Sequence, residues 1–234
     1  MWLFLECSVD VNAWDKAQDT LLHLASSKWW LVTVQVLLDH GAEANACNAD
    51  GQNPLHRVPQ LQYYHLLHGA NIVMQLLKHK TGSDVNAQDK DQETPLHLAS
   101  YYLSADLVKV LLDYGAQVDA EDNRGLTPLH QLVLGNHECR SLSGTGRLEP
   151  WDSRAIYTAH LLLERGADVN AQNKDNETLL HLASCLRLHE LAQLLLENGA
   201  DVNVKNSEGK SPLLVTTRRK GKAMRWLLSE YSAK

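Results

Sequence analysis

The stretch VNAQDKDQETPLHLAS, residues 85–100, returns as VNAQNKDNETLLHLAS, residues 169–184, with three substitutions in sixteen positions. A third, more divergent copy, VNAWDKAQDTLLHLAS, occupies residues 11–26. Chemistry at a reacting atom needs its nucleophile and base once, whereas a unit that stacks on copies of itself has to recur. The duplication therefore points first to architecture, and the spacing of the copies decides which one. Aligning the first residue of each TLLHLA-like segment gives Thr20, Asn53, Thr94, Thr127, Thr178 and Ser211, separated by 33, 41, 33, 51 and 33 residues. One repeated interval, with two others longer by 8 and 18, is the mark of a fixed unit carrying two insertions. Self-similarity at a period of roughly 20–50 residues specifies a solenoid.

Every unit reads alike. A short helix starts at the Thr, Ser or Asn, whose side-chain oxygen can cap free backbone N–H groups. The Pro that often follows suits a first helical position, where its missing N–H costs nothing. A second helix is carried by apolar runs such as VTVQVLL (32–38), ADLVKVLL (105–112), YTAHLLL (157–163) and HELAQLLL (189–196). Gly41, Gly115, Gly166 and Gly199 follow, where a left-handed residue ends a helix. An extended finger comes next, as in ADVNAQNKDNE (167–177), and Gly51, Gly125 and Gly209 stand two residues before the next start, suiting a tight turn.

The recurring TPLH-x-A, LL-x-x-GA and DVNA segments at this period resemble the ankyrin repeat family over nearly the whole chain. The resemblance implies an all-α solenoid of helix-turn-helix units with projecting β-turn fingers, forming a single ankyrin-repeat domain over residues 1–234. Residues 1–14 read as a partial repeat, because LFLECSVDVNA (3–13) aligns with LLLERGADVNA (161–171). Full units start near 15, 48, 89, 122, 173 and 206, with insertions near 59–69 and 135–153. A first helix missing before Met1 would leave Trp2 to Leu5 uncapped, so further repeats are expected upstream in a longer chain. Three departures stand out: NPLHRV at 53–58 lacks the small Ala, SPLL at 211–214 lacks the His, and Trp29, Leu103 and Arg187 replace the family's inter-helix Gly.

The insertion containing SGTGRLEP (143–150) reads as a surface loop; without G-K-[ST] or a preceding strand it specifies no phosphate cradle. Five of the twelve histidines, His23, His56, His97, His130 and His181, hold one repeat position, so they lie a repeat apart and cannot converge on one ion. The resemblance implies that their rings hydrogen-bond between neighbouring repeats. His65 and His68 share a helix spacing without a third ligand. Cys7, Cys47, Cys139 and Cys185 show neither C-x-x-C nor small-scaffold spacing, so no disulfide framework or zinc site is expected. No G-x-S-x-G or H-E-x-x-H motif occurs, and a non-enzymatic protein without cofactor is expected. The opening lacks a signal-peptide pattern and no apolar run spans a bilayer, so no membrane association and an intracellular location, cytoplasmic or nuclear, are expected.

Net charge is −6, yet residues 205–234 alone carry eight Lys/Arg against Glu208 and Glu230. The acidic remainder makes nucleic acid an unlikely partner, and the basic end reads as a solvated helix of a terminal unit. The expected partner is another protein. Residues that vary between registers on the finger surface are the candidate contacts: Trp14 and Lys16; Asp50; Lys90 and Asp91; Asn123 and Arg124; Lys174 and Asp175. Aromatic residues near the far ends of the first helices join them: Lys28, Trp29 and Trp30, then Tyr101 and Tyr102, with Tyr63 and Tyr64 in the first insertion. Trp and Tyr are enriched among interface hot spots, though they also fill gaps between helix pairs. The resulting expectation is an adaptor or scaffold module that binds across its concave finger and inner-helix surface. The alternative is a substrate-recruiting array of a larger signalling protein or enzyme.

Overall fold

The computed structural model describes residues 10–60, 66–80, 82–143, 150–216 and 221–232. Helices come in pairs: α1 (Leu21–Ser27) with α2 (Leu31–Asp39), α3 (Pro54–Arg57) with α4 (Leu66–Lys78), and α5 (Pro95–Tyr101) with α6 (Ala105–Asp113). The second half continues with α7 (Pro128–Ser143) and α8 (Pro150–Glu164), α9 (Leu179–Leu186) and α10 (His189–Glu197), and α11 (Pro212–Val215) and α12 (Lys222–Ser232). Two compact units result, one of residues 1–102 with 106–117, the other of 118–234 with 103–105. Among the described residues β-pairing is confined to isolated bridges such as Trp14 with Thr20 and Gln172 with Thr178, inside single fingers.

The cap residues do what their chemistry allows. Thr20 accepts from the His23 amide while its own N–H donates to His23 Nδ1 at 3.1 Å, and Thr94 and Thr178 repeat the exchange with His97 and His181. With Nδ1 occupied as an acceptor, the neutral ring carries its hydrogen on Nε2. That hydrogen is given to the following unit: His23 Nε2 to Gln52 O at 2.9 Å, His56 to Glu93 O at 3.1 Å, His181 to Lys210 O at 3.0 Å. One side chain thus caps its own helix and ties it to the next unit. Burial holds the His23, His56 and His181 rings below their ordinary pKa, against the raising effect of those carbonyls.

Gly41, Gly115, Gly166 and Gly199 take φ of 86–88°, ending each second helix as a left-handed residue does. The same conformation is adopted without glycine between the helices of a pair, at Trp29, Leu103 and Arg187 with φ of 53–59°. The backbone of the inter-helix turn is therefore preserved although the family's usual residue is not. Both insertions lengthen helices. The described parts of the longer one, residues 135–143 and 150–153, extend the pair: α7 has 16 residues and α8 has 15, where α9 and α10 have 8 and 9. Most of the SGTGRLEP stretch expected as a loop lies outside the described residues. The shorter insertion falls partly in α4, which runs to 13 residues.

Within each compact unit a Leu-rich layer fills the space between pairs, with Leu22, Leu38, Leu55, Ile72, Leu76, Leu96 and Leu111 buried in one and Leu129, Leu132, Leu162, Leu179 and Leu180 in the other. At Arg57, where other registers carry Leu24, Leu98 and Leu182, the guanidinium reaches back 3.0 Å to Asp19, whose other oxygen accepts from Asn48 Nδ2 at 2.8 Å. The charge that replaced an apolar side chain is thus paired, while the position of the small Ala is taken by Val58, fully buried.

Candidate protein-interaction surface

Each finger is braced by one Asp or Asn whose Oδ1 accepts two backbone amides. Asp15 takes those of Ala17 and Asp19, Asn48 those of Asp50 and Gln52, Asp89 those of Asp91 and Glu93. In the other unit Asp122 takes those of Arg124 and Leu126, Asn173 those of Asp175 and Glu177, Asn206 those of Glu208 and Lys210. Asx turns of this kind hold a tip without relying on tertiary contact. Neighbouring tips are also joined through the backbone: Ala49 N to Ala17 O and Lys90 N to Asp50 O in the first unit, Lys174 N to Arg124 O and Ser207 N to Asp175 O in the second, all 2.8–3.0 Å. At Gly51 and Gly125 an added Cβ would lie 3.1 Å from the next finger's amide nitrogen, so glycine there serves both φ and approach.

The candidate contacts sort by what they touch. Lys16, Asp50, Asp91 and Asp175 are exposed, and Trp14 is 73% exposed on its braced tip. Lys90 is exposed beside Asp91. Arg124 folds onto Asp122 at 3.2 Å, and Lys174 Nζ donates to Asn123 O at 2.7 Å, so both cations help hold the second unit's tips. Lys28 is exposed after α1, and Trp30 is 58% exposed at the start of α2. Trp29 is half-buried, and its indole N–H donates to Val58 O of the following pair at 2.7 Å, a packing contact. Tyr101 and Tyr102 are half-buried, with rings edge to face at 5.1 Å. Tyr63 and Tyr64 lie outside the described residues.

Six exposed apolar groups among the described residues escaped the sequence reading: Leu21, Tyr114 and Leu214, and, on second helices, Val32, Tyr157 and Trp226. The signal was available in register, since Val32 aligns with Asp106 and Glu190, and Trp226 with Gln35, Lys109 and Gln193. A large apolar residue where copies carry polar ones is not there to fill the core. Among the described residues no cluster of His, Cys, Asp and Glu is arranged to hold a metal, and no helix is long and apolar enough to cross a membrane.

Comparison with known proteins matches this geometry. Models described as ankyrin repeats in many copies, ankyrin repeats in three copies, and a single ankyrin repeat match residues 76–130, 153–234 and 18–49. Inversin of Homo sapiens is 28% identical over 182 residues, 76% of this chain and 15% of inversin. The neurogenic locus Notch protein of Drosophila melanogaster is 34% identical over 125 residues, 53% of this chain and 4% of that protein. The chain thus spans a small part of the length of these relatives. Among solved structures, the ankyrin repeat domain of Bcl-3, described as a unique member of the IkappaB protein family, aligns with a TM-score of 0.76. That alignment has 27% identity and covers 99% of this chain and 90% of that domain. With helix pairs, left-handed glycines and braced fingers recurring where these matches fall, the chain belongs to the ankyrin repeat family.

Proposed function

We propose that the chain is a non-enzymatic adaptor or scaffold module that binds another protein through the fingers and inner helices of its units. The observation that carries this reading is the division of labour on the fingers. Residues that recur, such as Asp15, Asn48, Asp89 and Asn173, turn inward to brace the backbone. Between them Lys16, Asp50, Asp91 and Asp175 project from it, at two positions that read Lys-Asp at 90–91 and 174–175 but Lys-Ala at 16–17, Ala-Asp at 49–50 and Asn-Arg at 123–124. Trp14 stands where other copies carry Cys47, Gln88, Glu121 and Gln172. Pre-organised tips lose little entropy on binding, and an exposed Trp on such a tip is the kind of group that dominates interface energies. Trp30 and Lys28 extend the surface along the far ends of the first helices. The test is affinity capture with mass spectrometry, comparing wild type with a Trp14→Ala/Trp30→Ala variant whose melting curve is unchanged. Loss of a specific partner by the variant supports the reading, and identical partner sets reject it.

A second reading rests on the relatives' lengths, since the matched region is 15% of inversin and 4% of Notch. In that reading the array recruits substrates or partners for a larger signalling protein or enzyme. Co-purification of the same partner by the longest transcript product and by this region alone would separate recruitment by the array from activity elsewhere.

A further inference from the structure

One position of the second helix is aliphatic and at most 1% exposed in five successive pairs: Val34, Val73, Val108, Ala159 and Ala192. In α12 that position is Arg225, and it is exposed. One turn on, the leucines that end with Leu163 and Leu196 give way to Ser229, also exposed. In the first helix of the same pair the repeated histidine is replaced by Leu214, 66% exposed. Trp226, 69% exposed, projects from α12 away from Met224 and Leu228, which are fully buried against the preceding helices. Lys222 is its i−4 neighbour on the same row.

A following unit would bury Arg225 where its predecessors bury Val or Ala, leaving a charge without a partner. It would also find no ring N–H at Leu214 to donate to its finger carbonyl. What this pair offers instead is exposed Leu214 on α11 and exposed Trp226 on α12, with the exposed cations Lys222 and Arg225 on the same helix as the Trp. Residues 205–234 carry a local charge of +6 against −12 for the rest of the chain, so an anionic group is drawn to this end in preference to the others.

We infer that the Leu214, Lys222, Arg225 and Trp226 surface binds an acidic amphipathic peptide segment of a partner protein, its carboxylates on the two cations and its apolar side chains on the Leu and Trp. Nucleic acid fits less well. Lys210 is already paired with Glu208, and the acidic balance of the rest of the chain opposes a long polyanion more than a short peptide. This surface is separate from the fingers, so its fate does not depend on the adaptor reading above.

The probe is a fluorescently labelled synthetic peptide of roughly four helical turns, Glu-rich with Leu on one face, followed by anisotropy with the full chain. A Gln-for-Glu version and a single-stranded oligonucleotide of similar length serve as controls. Wild type should bind the acidic peptide, and Trp226→Ala and Arg225→Glu should each weaken binding about tenfold. Trp14→Ala should leave it unchanged. These surface positions leave the core intact, and superimposable thermal melts confirm it. Absence of binding by wild type, equal binding of the Gln peptide, or tighter binding of the oligonucleotide would each overturn the inference.

Discussion

Arg187 sits at φ 59° with an exposed side chain, where the family's usual residue is glycine. A left-handed conformation costs a side-chain-bearing residue roughly 1–2 kcal/mol, and glycine gives back about 0.5–1 kcal/mol through its larger unfolded-state entropy. Arg187→Gly should therefore raise stability by about 0.5–1 kcal/mol, read as a higher urea midpoint at unchanged m-value. Leu103 has the same φ but is buried, so Leu103→Gly should destabilise instead: the lost burial outweighs the relieved strain. The same substitution thus has opposite signs at two equivalent turns, and only the structure distinguishes them.

Between elements, the recurring link at the finger base is an asparagine that uses both ends of its amide. Asn12 accepts from Glu43 N and donates to Gly41 O, and Asn86 does so with Gln117 and Gly115, Asn170 with Asp201 and Gly199. At the equivalent place stands Asp119, which accepts from Asp168 N at 3.0 Å but has no amide to donate. Partial desolvation, opposed by the Asp168 N–H and aided by the Asp168 carboxylate, holds its pKa above the ordinary value. Asp119→Asn should restore the donor and remove the like-charge contact, stabilising by about 1 kcal/mol in denaturant titration. No change would mean that water serves Gly166 O equally well. Much of this was legible beforehand: the helix pairs, their caps and both sets of glycines follow from residue type and spacing. What could not be read was that residues 135–143 and 150–153 of the longer insertion continue the helices. Its Gly, Ser and Pro residues signal a loop, while the flanking helices already supply a nucleus onto which further turns add cheaply. Nor could spacing divide the candidate contacts into those that project and those, such as Trp29 and Lys174, whose polar atoms are taken by neighbouring backbone.

At the scale of the molecule three buried histidines, His23, His56 and His181, act in concert. Their folded pKa values lie below the unfolded value of about 6.5, so between the two the unfolded chain binds more protons. The stability they contribute is fully present above about pH 6.5 and is lost as pH falls toward their folded values. Melting temperature should drop on acidification through this window, and His56→Gln should flatten the dependence; a flat profile in the wild type would show that the rings protonate without leaving their partners. The histidine, asparagine and finger contacts are all made at one end of each helix pair, whereas both insertions enter at the other, where α7 and α8 simply grow longer. Length can therefore be added to α7 and α8 there without severing the histidine, asparagine or finger ties, which makes that end of the pair the place to graft a foreign epitope or reporter peptide.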